Sequence, residues 1–160
     1  MALTTWDAYH RRDEVLRAVI DELDLRRDGV LPLALPGVAE RFADQLDLVG
    51  ALQLRWHTRL AGRIEAALME SPTDPESAVI SAWRDTSTDL PGIREVLDAY
   101  GKAPTSEAMA AALDRACHKD WELMAAMGGP VGVQGTAAAT MGRRIEERAR
   151  GNRGRTPLLA

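Results

Sequence analysis

The residues with the most chemical potential lie in one short run, "LRWHTRLAGRIEAAL" over positions 54–68. Arg55, Arg59 and Arg63 follow one another at four-residue steps, and His57 sits between the first two. Guanidinium pairs grip carboxylates or phosphates through two parallel hydrogen bonds. An imidazole nearby can carry a proton or bind a metal.

On a helix these side chains do not form one patch. With Val49 set at zero and about 100° per residue, Arg63 lies near −40°, Arg59 near −80°, Arg55 near −120° and His57 near +80°. Only Arg59 and Arg63 are close enough in phase to act on one anion. The arginines wind from the exposed side toward the core edge, so the plainer reading is that they lay their stems on the core and hold carboxylates.

Two acidic residues stand where a helical pattern calls for apolar ones, Asp13 and Asp120. A buried carboxylate must be paired or protonated, and Arg63 and Arg12 are the expected partners. The histidines His10, His57 and His118 fall on three different helices, a distribution that would suit a shared metal site in a bundle. No Glu-x-x-His or His-x-x-x-His step accompanies them, and His118 points more than about 100° from its helix's apolar stripe. No metal and no cofactor is therefore expected. The single Cys117 excludes an intramolecular disulfide and a cysteine-rich zinc site.

The elements that position these groups read as helices. A first helix is expected over 5–24, started by Thr4 and Asp7 in a capping-box spacing, with Trp6, Tyr9, Leu16, Ile20 and Leu23 on one face. "VLPLALP" holds two prolines and reads as an extended strap. A second, dominant helix is expected over 37–70, with Val38, Phe42, Leu46, Val49, Gln53, Trp56, Leu60, Ile64 and Ala67 as its stripe. At 1.5 Å per residue it would span roughly 50 Å, against about 30 Å for a compact domain of this size. It must kink near Gly50 or Gly62, or overhang and pack on a second copy.

Asp74 and Pro75 start a third helix through Arg84, which "DTSTDLPG" is expected to break. A fourth runs over 91–100 and a fifth over 106–127, striped by Met109, Leu113, Cys117, Asp120 and Met124. A last helix covers 136–150. "LPGVAERF" at Leu35 and "LPGIREVL" at Leu90 echo each other, most simply through shared helix-start chemistry. The expectation is an all-α bundle of five to six helices around one long central helix, with a single domain over 1–150 and a flexible basic tail over 151–160.

Composition bounds the rest. The 160 residues are 46% apolar and 28% charged, with a net charge of −4, as in a globular protein. No apolar run approaches the ~20 residues needed to span a bilayer, and "MALTTWDAYH" has no signal-peptide pattern. A cytoplasmic location with no membrane contact is expected. The stretch from 142 onward carries six arginines against two glutamates, but no nucleic-acid-binding motif accompanies them. No phosphate loop or nucleophile motif is present. These features favour a non-enzymatic protein working through protein–protein contact, as a homodimer along the long helix. The other reading is a bundle binding a small anion or a metal in a polar pocket between the first, second and fifth helices, with Arg59, Arg63, His57 and Asp120 at the site.

Overall fold

The computed structural model describes residues 4–151, and within them the chain is all-α. Seven helices follow one another: α1 (Thr5–Arg26), α2 (Val38–Arg41), α3 (Gln45–Glu70), α4 (Pro75–Asp89), α5 (Pro91–Lys102), α6 (Glu107–Gly128) and α7 (Gly135–Gly151). No strand occurs among the described residues. None of these helices is long and apolar enough to cross a membrane. The basic tail expected over 151–160 falls, after Gly151, outside the described residues.

The chain divides into two compact units. The first takes the described residues up to Trp56 together with Leu90–Asp114; the second takes His57–Asp89 and the described residues from Arg115 onward. Helices α3 and α6 each contribute residues to both.

In the first unit, α1 starts as its sequence dictates. The Thr4 side chain accepts the Asp7 N–H and the Asp7 carboxylate accepts the Thr4 N–H, a complete capping box. The helix ends at Arg27 in the left-handed region. Its buried face is Leu16, Val19 and Leu23, against which α2 and α5 pack. Trp6 and Tyr9 depart from expectation: they are 68% and 73% exposed. Arg12 hydrogen-bonds the Arg41 carbonyl of α2 and Arg27 hydrogen-bonds Glu95 of α5, and Trp6 and Tyr9 precede both along the helix.

The long second helix is also corrected. It breaks at residues 42–44, ahead of both Gly50 and Gly62, and only α3 is long, about 39 Å over its 26 residues. Phe42 leaves α2 in an extended conformation and is buried, with the Arg12 guanidinium over its ring at 4.3 Å. Asp44 then accepts the Asp47 N–H, and Asp47 accepts the Ala43 N–H. These bonds satisfy backbone donors that a new helix start leaves free. Val49, Trp56, Leu60 and Ile64 of the expected stripe are buried, joined by Leu48 and Leu52, whereas Leu46 and Gln53 are only half-buried.

Two helix contacts depend on missing side chains. Gly92 sits in the first turn of α5 against α1, where a Cβ would lie 2.5 Å from the Leu23 carbonyl carbon. That approach lets Asp24 accept the Gly92 N–H at 2.9 Å and cap α5 from another helix. In the second unit, α7 lays Ala138, Ala139, Gly142, Ile145 and Ala149 into the core, packed on α4. A Cβ on Gly142 would fall inside the Trp121 carbonyl group of α6.

Helix α4 also runs farther than expected, to Asp89 rather than Arg84. Ser and Thr disfavour helix interiors because their hydroxyls compete for backbone groups. Here the Thr86 hydroxyl donates to the Ala82 carbonyl within the helix, and both Thr86 and Ser87 are buried.

Two outcomes test this packing. Gly142→Ala should destabilise the protein by about 3 kcal/mol, since backbone, not a flexible side chain, must give way. Gly62→Ala, where the added methyl meets no atom within 4 Å, should stabilise it by about 0.5–1 kcal/mol through helix propensity. Urea unfolding of both variants measures the contrast. The second test concerns pH. The Arg12 guanidinium, helped by the Ala43 N–H, holds the Asp47 carboxyl below its ordinary value of 3.8. A depressed carboxyl contributes stability above its unfolded pKa and loses it as pH falls through the folded one. The melting temperature should therefore drop as pH goes below about 4, and Asp47→Asn should flatten that drop. An unchanged acid limb in the variant would show that Asp47 is not the group responsible.

Candidate functional site

The polar residues singled out by their spacing sort onto the two flanks of the α3 row. All the contacts in this paragraph lie in the second unit. On one flank, Arg59 Nε and Arg63 Nε donate to the same oxygen, Asp89 Oδ2, at 3.1 and 3.0 Å. A second bond from Arg63 Nη2 to that oxygen is 2.5 Å long. Asp89 is the last residue of α4, where the helix dipole already places partial negative charge. The two guanidiniums more than offset both. Asp89 in turn holds the Arg63 guanidinium more firmly protonated than usual, through its hydrogen bonds first and its charge second.

On the opposite flank, His57 Nδ1 lies 2.6 Å from Asp120 Oδ1. Asp120 is 6% exposed, while the His57 side chain is 36% exposed. A buried carboxylate beside one ring nitrogen fixes the orientation of the imidazole and favours a proton on that nitrogen. This corrects the expected pairing of Asp120 with Arg63 or Arg12. Arg63 faces the end of α4 and is taken by Asp89. Arg12 is in the first unit, on Asp47 at 2.9 Å and on the Arg41 carbonyl at 2.7 Å. The structure thus brings the four candidates together as two pairs, His57 with Asp120 and Arg59 with Arg63, each on its own flank.

The remaining polar candidates are also engaged. In the first unit, Asp13 is half-buried and receives Arg17 at 2.6 Å and Arg55 at 3.1 Å. His10 packs its ring edge-on against Trp6, with centroids 4.0 Å apart. In the second unit, the His118 ring lies 5.1 Å from that of Trp121, whose Nε1 donates to Glu146. Among the described residues no group of three His, Cys, Asp or Glu side chains is arranged to hold a metal ion.

An open cleft of about 470 Å³ lies between α4 and α7, lined by Ser77, Ile80, Ser81, Arg84, Arg148 and Gly151. Its cations are committed. Arg84 donates to the Ala149 and Arg148 carbonyls at the end of α7, and Arg148 pairs with Glu76. Asp89 is not legible from spacing, because the "DTSTD" run reads as a break and not as a helix end. Its one signal was an acidic residue closing a helix opposite a two-arginine face. Compared with protein family models, with curated proteins and with solved structures, the chain has no match.

Asp89 occupies the point where an external anion would bind. Asp89→Ala should empty that seat and leave two guanidiniums converging on it. Sulfate or phosphate should then raise the melting temperature of the variant and leave that of the native chain almost unchanged. An equal anion response in both proteins would place the anion elsewhere.

Proposed function

We propose that this protein is a non-enzymatic binding module that acts through protein–protein contact. The observation supporting this most strongly is the first part of α1. Trp6 and Tyr9 stand one turn apart with 68% and 73% of their surface exposed, on a helix whose start is fixed by a capping box. Aromatic side chains of this kind dominate the energetics of protein interfaces. They offer large, rigid contact area at low cost in conformational entropy. The capping box contributes by holding these turns helical before any partner arrives, which lowers the ordering cost of binding.

The other reading, an anion or metal pocket built on Arg59, Arg63, His57 and Asp120, has less support. Its two arginines already share Asp89 as a partner, and its histidine is engaged by Asp120. A location in the cytoplasm is compatible with a module of this kind and forms part of the proposal.

The test compares the native chain with a Trp6→Ala/Tyr9→Ala double variant. Affinity capture from cells of its source, with an untagged copy of the chain scored beside other proteins, should recover at least one stoichiometric species with the native chain. The double variant should lose it at unchanged helicity. A native chain that recovers nothing dependent on Trp6 and Tyr9 would sink the reading. So would an anion that raises the melting temperature of the native chain but not of Arg59→Ala, because it would restore the ligand pocket.

A further inference from the structure

The exposed face of α1 has a pattern that selects its own partner. Trp6, His10, Glu14, Arg17, Asp21 and Leu25 are all exposed, and at 100° per residue they fall within about 100° of arc. The stripe is apolar at both ends, with Trp6 68% and Leu25 80% exposed. Between the ends it runs His, Glu, Arg, Asp.

We propose that this face pairs with the same face of a second copy, antiparallel, about a two-fold axis passing between Val15 and Leu16. This rests on the reading of α1 as a contact surface and names its partner. In that register Trp6 meets Leu25 of the other copy, His10 meets Asp21, and Glu14 meets Arg17. Each of these three exposed pairs is complementary, and the two-fold axis makes each occur twice, as an isologous interface requires. The half-buried Asp7 and Asp24 also face each other, but are held by the Thr4 cap and the Gly92 N–H of their own chain. Arg17 already donates to Asp13 at 2.6 Å. A guanidinium has five N–H donors, so it can hold Asp13 and a Glu14 carboxylate together.

The alternatives are penalised by the same residues. A parallel pairing sets Glu14 on Glu14, Arg17 on Arg17 and Asp21 on Asp21, which like charges oppose. Shifting the antiparallel register by one turn in one direction puts Glu14 against Asp21. Shifting it in the other direction puts Trp6 against Asp21 and His10 against Arg17. Of these arrangements, one alone pairs all six exposed residues of the stripe favourably. The 22 residues of α1 give a seam about 33 Å long. A one-helix seam lies near or below the roughly 1,200 Å² at which stable interfaces begin. The dimer is therefore reversible and concentration-dependent.

The experiment uses the full chain in sedimentation velocity and native mass spectrometry. The native protein should be a dimer at high concentration and a monomer on dilution. Trp6→Lys and Leu25→Glu should each weaken self-association by at least about tenfold, the scale of losing an interface anchor. Circular dichroism should be unchanged, because both side chains are exposed. Mixed one to one, the two variants should form a heterodimer. Mixing leaves a Trp6–Leu25 pair at one end of the seam and sets the introduced lysine against the introduced glutamate at the other. Three results overturn the proposal: a native chain that is monomeric at every concentration, a dimer indifferent to both substitutions, or a mixture that gains no heterodimer. In the first case the contact reading still stands or falls separately, on whether another protein is captured through Trp6 and Tyr9.

Discussion

The structure depends first on one row of side chains. Leu48, Leu52, Trp56, Leu60 and Ile64 recur every four residues along α3, and each is fully buried. Removing side chains of this size from water contributes about 1.5–3 kcal/mol apiece, so the row fixes the rotation of α3 about its axis. That rotation decides what its neighbours in sequence can reach. Arg55 finds Asp13, His57 finds Asp120, and Arg59 and Arg63 find Asp89. Within the first unit the Arg94 guanidinium settles 4.5 Å above the Trp56 ring, where the quadrupole of the indole favours a cation. The polar arrangement is a consequence of an apolar one.

A second constraint is how closely helix backbones approach. Where Gly92 meets α1 and Gly142 meets α6, the missing Cβ lets one backbone reach another. The two contacts use that closeness differently. At Gly92 it brings Asp24 within hydrogen-bonding range of a helix start. At Gly142 it seats the small-residue face of α7, and Glu146 one turn later accepts from the Trp121 indole and from Arg150. The Arg150 guanidinium then stacks at 4.8 Å over Trp83. Small residues and charged ones thus work as a pair on α7, one setting the distance and the other using it.

Much of this was legible in the sequence, and what was not has identifiable physical causes. The Thr4 box, Pro75 and Pro91 marked helix starts because their chemistry is local. The class followed from stripes such as Met109, Leu113, Asp120 and Met124, all of which are buried. Asp44 was passed over because an aspartate inside an apolar pattern reads equally as a surface residue; only buried Phe42 ahead of it explains why a new helix begins there. The Leu-Pro-Gly echo shows the limit of local grammar. Gly37 takes a φ of 89° outside α2, whereas Gly92 lies inside α5 against another helix. The same three letters take different conformations because different neighbours press on them. Partner choice was the least legible feature. Asp120 was read as buried and paired, but angular phase on one helix cannot say which residue of another helix arrives.

The arginines of α3 and the outer face of α1 are both rich in charge, and they differ in how that charge is used. Arg59 and Arg63 converge on one carboxylate of the same chain, which offsets one of their two charges. Asp13 likewise collects Arg17 and Arg55. The outer stripe of α1 is arranged in another way. His10, Glu14, Arg17 and Asp21 stand in a row whose ends are an exposed tryptophan and an exposed leucine. Isolated exposed apolar residues are ordinary on any protein surface. Two of them closing a row of alternating charge are a different object, because the row supplies polarity that reads the same in reverse with opposite sign. Apolar ends supply contact area, and ordered charges supply register and reject misaligned partners. Among the described polar groups, the α3 cluster pairs within the chain that carries it, while the α1 stripe, in the pairing we propose, is completed by the same stripe of a second copy.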